Sequence, residues 1–270
     1  MADPPLARWP GGVVQCVTVS GGELVVETLG AGPPLLLLHG WTLDRRMWLP
    51  QLPLARHFTL VGVDRRGFGQ STAPPDLASE PDDVLRIADA LGLDRFHLIG
   101  MSQSGRVALA VADRAADRLL SLTLQGTALD GVSGDDEQMP IVAMTAAARS
   151  GDLPGMRSLV EDHHLMQPVN PASATLAAAM LADYGGRDLL GQGRGLPAFA
   201  DAIVGAPFPV MAVVGCEDTP RRRANANALA AAGAEMVLLP GAGHLCNIDS
   251  PDAFNAAILT DHMALPRLSA

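Results

Sequence analysis

The sequence predicts an α/β fold: a mostly parallel, twisted sheet with helices on both faces and an inserted helical cap. Two observations carry this prediction. Short apolar runs of strand length alternate with helical patterns along residues 1–126 and 208–270, and residues 127–207 contain no strand-like run. Alternation of strands and helices is typical of parallel sheets covered by helices. We therefore expect one core domain formed by 1–126 and 208–270, with residues 127–207 as the cap.

The first half of the chain supplies most of the predicted strands. Two Val- and Thr-rich runs flank Gly21-Gly22 and predict a β-hairpin. Unbroken apolar runs such as Leu35 to Leu38 are typical of strands buried on both faces. Gly92 ends the predicted helix that precedes the central strand. The predicted strands span residues 13–19, 24–29, 35–38, 58–63, 96–99 and 119–124, and a helix spans 81–91.

The second half predicts a helical insertion followed by a return to strand–helix alternation. Ala- and Met-rich helical patterns cover residues 141–149, 154–165 and 173–181. In the first half, residues 43–55 are predicted to be irregular and then helical, with breaks at Pro50 and Pro53. After the insertion, strands are predicted at 210–214 and 235–239, and helices at 221–232 and 251–263.

Composition excludes several classes of chemistry. The chain contains no Lys, because all 19 basic residues are Arg. Schiff-base catalysis, a pyridoxal-phosphate lysine, a Ser–Lys dyad and a Walker A lysine are therefore excluded. The net charge of −10 argues against nucleic acid or an anionic membrane as a partner. We expect a small-molecule substrate and no cofactor.

Three cysteines, Cys16, Cys216 and Cys246, are too few and too scattered for a disulfide framework or a zinc site. Reduced thiols are typical of the cytoplasm, which is the expected location. Residues 1–12 lack the apolar core of a signal peptide. No apolar run approaches the length of about 18 residues needed for a membrane span. Oligomeric state is left open by the sequence.

The most informative stretch is residues 96–112, FHLIGMSQSGRVALAVA. An apolar strand is followed by a tight turn with Ser102 at its apex and then by a helix, the arrangement of a nucleophile elbow. Gly100 meets the requirement for a small residue where strand and helix approach closely. Ser104 stands where the usual pattern has Gly. Ser104 itself is a poorer candidate nucleophile, because Ser102 then occupies a glycine position; an ordinary turn containing serines is the remaining alternative.

Five polar residues follow predicted strands: His39, Asp64, Ser102, Asp218 and His244. In parallel sheets, chemistry gathers beyond the carboxyl ends of the strands. A serine hydroxyl needs a general base, and the base needs an orienting acid. The order Ser102, Asp218, His244 suits such a triad. Taken alone, each residue has a non-catalytic alternative: Asp218 as a helix N-cap and His244 as an incidental turn residue.

Together, five motifs resemble the α/β-hydrolase superfamily, in the compact bacterial branch with an inserted helical cap. They are LLLLHGW at 35–41, VDRRGFGQS at 63–71, GMSQSG at 100–105, VVGCED at 213–218 and PGAGH at 240–244. The resemblance implies a serine hydrolase of carboxylic esters whose oxyanion hole uses the backbone N–H groups of Trp41 and Gln103. It assigns His39 to holding its loop and the VDRRGFGQS stretch to a structural turn. The departure from the family pattern is Ser104 for Gly.

Other functions on the same fold stay open. A lactonase or a carbon–carbon hydrolase uses the same triad, although the latter typically places a Trp in the cap, where this chain has none. Haloalkane dehalogenases and epoxide hydrolases use Asp at the elbow, and plant-type hydroxynitrile lyases use a Lys. Ser102 at the elbow and the lack of Lys therefore argue against these three classes. A cofactor-free dioxygenase working through His244, or a non-catalytic binding or sensing protein, are further alternatives.

Within the predicted cap, Asp162-His163-His164 and Asp183-Tyr184 are the polar clusters. A metal site needs a third ligand at suitable spacing, which the sequence does not supply. We therefore predict exposed polar residues here and no metal. Five methionines are expected either to line an apolar pocket or to pack between helices: Met139, Met144, Met156, Met166 and Met180. The predicted substrate is small to medium in size and partly apolar.

Overall fold

A computed structural model of the chain describes residues 8–132, 137–191 and 193–263, with side chains as far as residue 260. The predicted absence of a signal peptide at residues 1–12 falls mainly outside these ranges. Within them, no helix has the length and apolar character required to cross a bilayer.

The described residues form one sheet of eight strands. The strands are β1 (Val13–Val19), β2 (Gly22–Leu29), β3 (Pro34–Leu38), β4 (Thr59–Val63), β5 (Phe96–Met101), β6 (Leu119–Gln125), β7 (Val210–Gly215) and β8 (Glu235–Leu239). Their spatial order is β1-β2-β4-β3-β5-β6-β7-β8. β2 pairs antiparallel with β1 and with β4, whereas the pairs from β4 through β8 are parallel. The predicted mostly parallel sheet is confirmed.

Apolar side chains on both faces of the sheet explain the unbroken apolar strands. In β3, Leu36 and Leu38 point into one hydrophobic cluster, and Leu35 and Leu37 point into the other. Alternate side chains of a strand lie on opposite faces, so a strand covered on both sides must be apolar throughout. The core is therefore two apolar layers with the sheet between them.

Helices cover both faces of the sheet and fill the segment between β6 and β7. Two of them begin at well-placed capping side chains: Thr219 accepts a hydrogen bond from Arg222 N at 3.2 Å, and Asn170 accepts one from Ser173 N at 2.9 Å. The α-helices are α1 (Glu80–Ala90), α2 (Gln103–Arg114), α3 (Ile141–Ser150), α4 (Leu153–Glu161), α5 (Pro171–Asp183), α6 (Arg187–Leu190), α7 (Pro220–Ala231), α8 (Cys246–Asp249) and α9 (Pro251–Met263).

Several boundaries differ from the sequence prediction. Arg45–Arg56 forms a 3₁₀ helix that contains Pro50 and Pro53, in place of an irregular stretch and a helix. The second helix of the insertion ends at Glu161, because His164–Met166 forms a separate 3₁₀ turn. α6 and α8 have four residues each, too short to show a helical period in the sequence.

The segment between β6 and β7, residues 126–209, is called the inserted segment below. Its described residues form helices and turns and no strand. It has an apolar cluster of its own, which includes Met144, Met156, Val160 and Tyr184. Phe68 completes this cluster from the rest of the described chain, which is called the sheet domain below. The division into core domain and cap remains a prediction.

Candidate active site

Ser102 lies between β5 and α2 with a strained backbone, at φ 53° and ψ −111°. Positive φ is rare outside glycine, and a residue in that region needs support from its surroundings. Part of the support comes from β6, because Ser102 N donates a hydrogen bond to Gln125 O at 2.7 Å. The turn places Ser102 beyond the carboxyl end of the central parallel strands.

Small residues permit the close approach of strand and helix at this turn. A Cβ added to Gly100 lies 2.6 Å from Ser104 O, and one added to Gly105 lies 2.1 Å from Thr127 Oγ1, so neither position accepts a side chain. Ser104 is accommodated because its hydroxyl is used: it accepts from Met101 N at 2.8 Å and donates to Leu38 O at 2.7 Å. The departure from Gly therefore ties the elbow to β3.

His244 and Asp218 are in contact in the loops that follow β8 and β7. His244 Nδ1 lies 3.0 Å from Asp218 Oδ2, and both residues are buried. Asp218 is not the N-cap of α7, a role taken by Thr219. Gly126 packs directly beneath the pair, since a Cβ there lies 2.9 Å from His244 Cε1. No pattern in the sequence indicated this role of Gly126.

Ser102 and His244 face the same cavity, which has a volume of about 210 Å³. Among the described residues, no hydrogen bond joins the Ser102 hydroxyl to another side chain. In enzymes without substrate, catalytic hydrogen bonds are often long and tighten only in the complex. The apolar part of the wall comes from both the sheet domain and the inserted segment: Leu43, Met101, Ala128, Met139, Leu165, Met166 and Leu245.

The two predicted oxyanion-hole residues, Trp41 and Gln103, also line this cavity. Gln103 begins α2, so its backbone N–H is at a helix N-terminus, where negative charge is stabilised. Its side-chain Oε1 accepts from Arg65 Nη2 at 3.0 Å, and Arg65 forms a buried ion pair with Glu80. Thr42, directly after Trp41, has a φ of 64°.

Charged residues complete the cavity wall and were not identified from the sequence. Arg222 Nε lies 2.9 Å from Glu137 Oε2, and Arg222 Nη1 donates to Gly126 O at 3.1 Å. Burial lowers the pKa of Arg222. Arg106 is held by Asp130 through two hydrogen bonds of 2.8 and 2.9 Å. Because each arginine has a carboxylate partner, the polar part of the wall is electrically balanced.

His39 and Asp64, the other two strand-end residues, lie outside the cavity lining. His39 Nε2 accepts from Arg65 N at 3.0 Å, and burial lowers its pKa well below the usual value. Asp64 is fully buried and accepts from Arg45 Nη1 at 2.5 Å. Burial raises the pKa of Asp64 to about 6. Both residues hold loops in place, as expected for His39.

The polar clusters of the inserted segment differ in their surroundings. The rings of His163 and His164 stack 4.2 Å apart, and the described residues include no group of three side chains suited to a metal ion. The prediction of an exposed position is wrong for Tyr184, which is 6% exposed because it packs on Phe68. Of the five methionines, Met139 and Met166 line the cavity, while the other three are buried in helix packing.

Known proteins share this architecture. A family model described as the alpha/beta hydrolase fold matches residues 33–153, the part that contains the elbow. The solved enol-lactonase from Burkholderia xenovorans LB400 is 26% identical and superposes with a TM-score of 0.75, covering 92% of this chain and 99% of its own. The chain has the α/β-hydrolase fold. The resemblance inferred from the five motifs is confirmed.

Two curated relatives match different lengths of the chain. Fluoroacetate dehalogenase from Burkholderia sp is 38% identical over 120 residues, 39% of this chain and 38% of the dehalogenase. The putative carbamate hydrolase RutD from Agrobacterium fabrum is 29% identical over 250 residues, 88% of this chain and 95% of RutD. The chain spans less than two thirds of the first curated relatives it matches.

Proposed function

We propose that this α/β hydrolase is a serine hydrolase of carboxylic esters, with Ser102 as nucleophile, His244 as general base and Asp218 as orienting acid. One observation carries the proposal: Ser102 is held at positive φ on the wall of a cavity that it shares with His244, and His244 Nδ1 lies 3.0 Å from Asp218 Oδ2. Strained residues at such positions cluster at functional sites.

The reaction follows from this arrangement. His244 takes the hydroxyl proton as Ser102 Oγ bonds to the ester carbonyl carbon, and Asp218 stabilises the resulting imidazolium. The N–H groups of Trp41 and Gln103 stabilise the oxyanion. The bond to the alcohol breaks, and the alcohol leaves with the proton from His244. Water, deprotonated by His244, then attacks the acyl group, and Ser102 regains its proton as the acid departs.

The cavity supports a small substrate with apolar parts. Its volume of about 210 Å³ is below the range of roughly 300–1,000 Å³ that is usual for sites that bind drug-sized ligands. Most of its lining side chains are apolar, and the inserted segment supplies Met139, Leu165 and Met166. In this proposal the inserted segment is a cap that encloses the acyl chain.

A lactonase is the second candidate, favoured by the likeness to the solved enol-lactonase. A lactone is a cyclic ester, so the same residues open it without a change in mechanism. The likeness to a dehalogenase does not extend to its chemistry in this proposal. Displacement of a halide by Ser102 forms an ether, which water attack cannot hydrolyse, so such an enzyme stops after one turnover.

The test is turnover of p-nitrophenyl esters and simple lactones of graded chain length by the wild type and by Ser102→Ala. We expect the highest activity on short acyl chains and a fall in kcat of roughly 10⁴- to 10⁶-fold in Ser102→Ala. A fluorophosphonate should add to Ser102, as located by peptide mass spectrometry. Absence of turnover and of labelling contradicts the proposal, as does activity that survives in the variant.

A further inference from the structure

Asp188, in α6 of the inserted segment, binds the side chain of a predicted oxyanion-hole residue. Its Oδ2 accepts from Trp41 Nε1 at 2.5 Å, and its Oδ1 accepts from Tyr184 OH at 2.8 Å. Both carboxylate oxygens are therefore occupied by donors. Neither the proposed chemistry nor the predicted cap packing uses this carboxylate, although it is hydrogen-bonded to Trp41, which lines the cavity.

The carboxylate is held in a fixed position by the cluster around it. Tyr184 is buried and its ring stacks on Phe68 with centroids 6.3 Å apart. Trp41 packs against the same cluster from the side of the cavity. Because the phenol is fixed by packing, the hydrogen bond from its hydroxyl fixes Asp188 in turn.

The backbone at Trp41 needs such a clamp. Thr42, the next residue, has a φ of 64°, a conformation that is a genuine outlier for a β-branched side chain. Strain of this kind persists only where surrounding contacts fix the conformation. The adjacent loop residue His39 is tied to the sheet domain through Arg65, whereas the indole of Trp41 is tied to the inserted segment.

Other polar contacts between the inserted segment and the sheet domain end either at the charged part of the cavity wall, as with Glu137 and Arg222, or away from the cavity. Asp183 pairs with Arg46 at 2.8 Å, and Asn170 Nδ2 donates to Asp249 O at 2.7 Å. Neither partner in the sheet domain lines the cavity. The bond from Trp41 to Asp188 is different because it reaches a residue whose backbone N–H is assigned to the oxyanion.

We propose that Asp188 is a positioning residue: by holding the Trp41 indole, it orients the Trp41 backbone N–H toward the developing oxyanion. The inference rests on the proposed function. It couples the placement of the inserted segment to catalytic competence, since the clamp forms only when α6 is seated on Trp41. Such a residue acts on the transition state more than on the bound ester.

The test compares Asp188→Ala, Asp188→Asn, Trp41→Phe and the double variant Asp188→Ala/Trp41→Phe on p-nitrophenyl butyrate. We expect Asp188→Ala to lower kcat by roughly 10- to 100-fold, with KM changed less than about threefold. Asp188→Asn should recover most of the loss, because its amide oxygen accepts from the indole while its NH₂ donates to the Tyr184 hydroxyl. The double variant should be no worse than the poorer single variant.

Asp183→Ala is the matched control, since it removes another carboxylate that joins the same segment to the sheet domain. Its kcat should stay within about twofold of wild type. Equal kcat losses in the two alanine variants, or losses in Asp188→Ala and Trp41→Phe that multiply in the double variant, overturn the inference. Loss of kcat in Asp188→Asn equal to that in Asp188→Ala also overturns it. Failure of the proposed function is distinct, because it shows as full activity in Ser102→Ala.

Discussion

The sheet domain and the inserted segment contribute to the candidate site in different ways. The sheet domain carries Ser102, Asp218 and His244 on loops held by backbone contacts, and it also contains wholly buried ion pairs, such as Arg45 with Glu27. The inserted segment contributes mainly apolar side chains and a few polar contacts, one of which is Asp188 with Trp41. The proposed reactive groups come from the sheet domain, and the inserted segment shapes the space around them.

This contrast has an energetic basis. The buried charges of the sheet domain have no access to water, so each depends on its partner. Ion pairs at the outer edge of the inserted segment, such as Arg194 with Asp76, remain in contact with solvent and contribute little. Ion pairs therefore contribute differently to the free energy of unfolding in the two regions, and substitutions can measure this difference.

The largest effect is expected on removal of the buried cation. Arg45→Met leaves the carboxylates of Glu27 and Asp64 without their shared partner, both at 0% exposure. The free energy of unfolding should fall by about 3–5 kcal/mol, as measured by urea denaturation. Arg194→Met, the control in the inserted segment, should leave the midpoint unchanged. If Arg45→Met lowers the free energy of unfolding no more than Arg194→Met does, the contrast between buried and exposed ion pairs is wrong.

A second substitution tests whether the backbone beneath His244 controls catalysis. Gly126→Ala adds a Cβ 2.9 Å from His244 Cε1 at a φ of 52°. Displacement of the imidazole should lower kcat by roughly 100-fold or more. Gly151→Ala is the matched control, because Gly151 also lies in the inserted segment and has a φ of 79° with open space around it. Similar kcat values for the two variants contradict the prediction.

The pH dependence of stability provides a third test, confined to the sheet domain. Burial lowers the pKa of His97 to about 4, from 6.5. As pH falls, the unfolded chain therefore binds a proton on His97 before the folded protein does. The contribution of neutral His97 to the free energy of unfolding is complete above pH 6.5 and is lost as pH falls toward 4. At pH 4.5 the loss is about 2 kcal/mol.

Denaturation of the wild type and His97→Gln between pH 7 and 4.5 measures this difference. The variant should lose less stability on acidification, although His39, whose pKa is also lowered by burial, leaves part of the dependence in place. If the free energy of unfolding falls equally with pH in the two proteins, His97 is not a source of the pH dependence.

The smallest effect concerns the elbow itself. Ser104→Gly restores the usual family pattern but removes the hydroxyl that bonds Met101 N and Leu38 O. We expect the free energy of unfolding to fall by about 1–2 kcal/mol, with kcat altered less than about threefold. Ser104→Ala keeps helix propensity and isolates the hydrogen bonds. A more stable Ser104→Gly variant shows that the hydroxyl has no structural role.

Prediction from sequence succeeded where local pattern carries the information. Apolar runs covered on both faces defined the strands, and Ser102 was singled out by a strand–turn–helix pattern within a few residues. Chain order then added Asp218 and His244, which the structure brings within 3.0 Å of each other. Their catalytic roles stay predictions.

The contacts missed from the sequence are those between distant residues. Trp41 and Asp188 are 147 positions apart, and Glu137 and Thr219 are 82 apart. No periodicity connects such pairs, because their approach depends on how the inserted segment seats on the sheet. For the same reason Tyr184 was expected at the surface: with Asp183 it formed a polar cluster typical of an exposed helix face, and only packing on Phe68 buries it.

The sequence by itself determined the sheet, its helical covering and the residue at the elbow, because hydrophobic periodicity and turn chemistry act over a few residues. Only the tertiary structure decided which charged side chains meet at the cavity wall, which glycine lies beneath His244 and which carboxylate binds the Trp41 indole. Those contacts arise where separate elements pack together, and close packing selects them through shape and charge that no short stretch of chain contains.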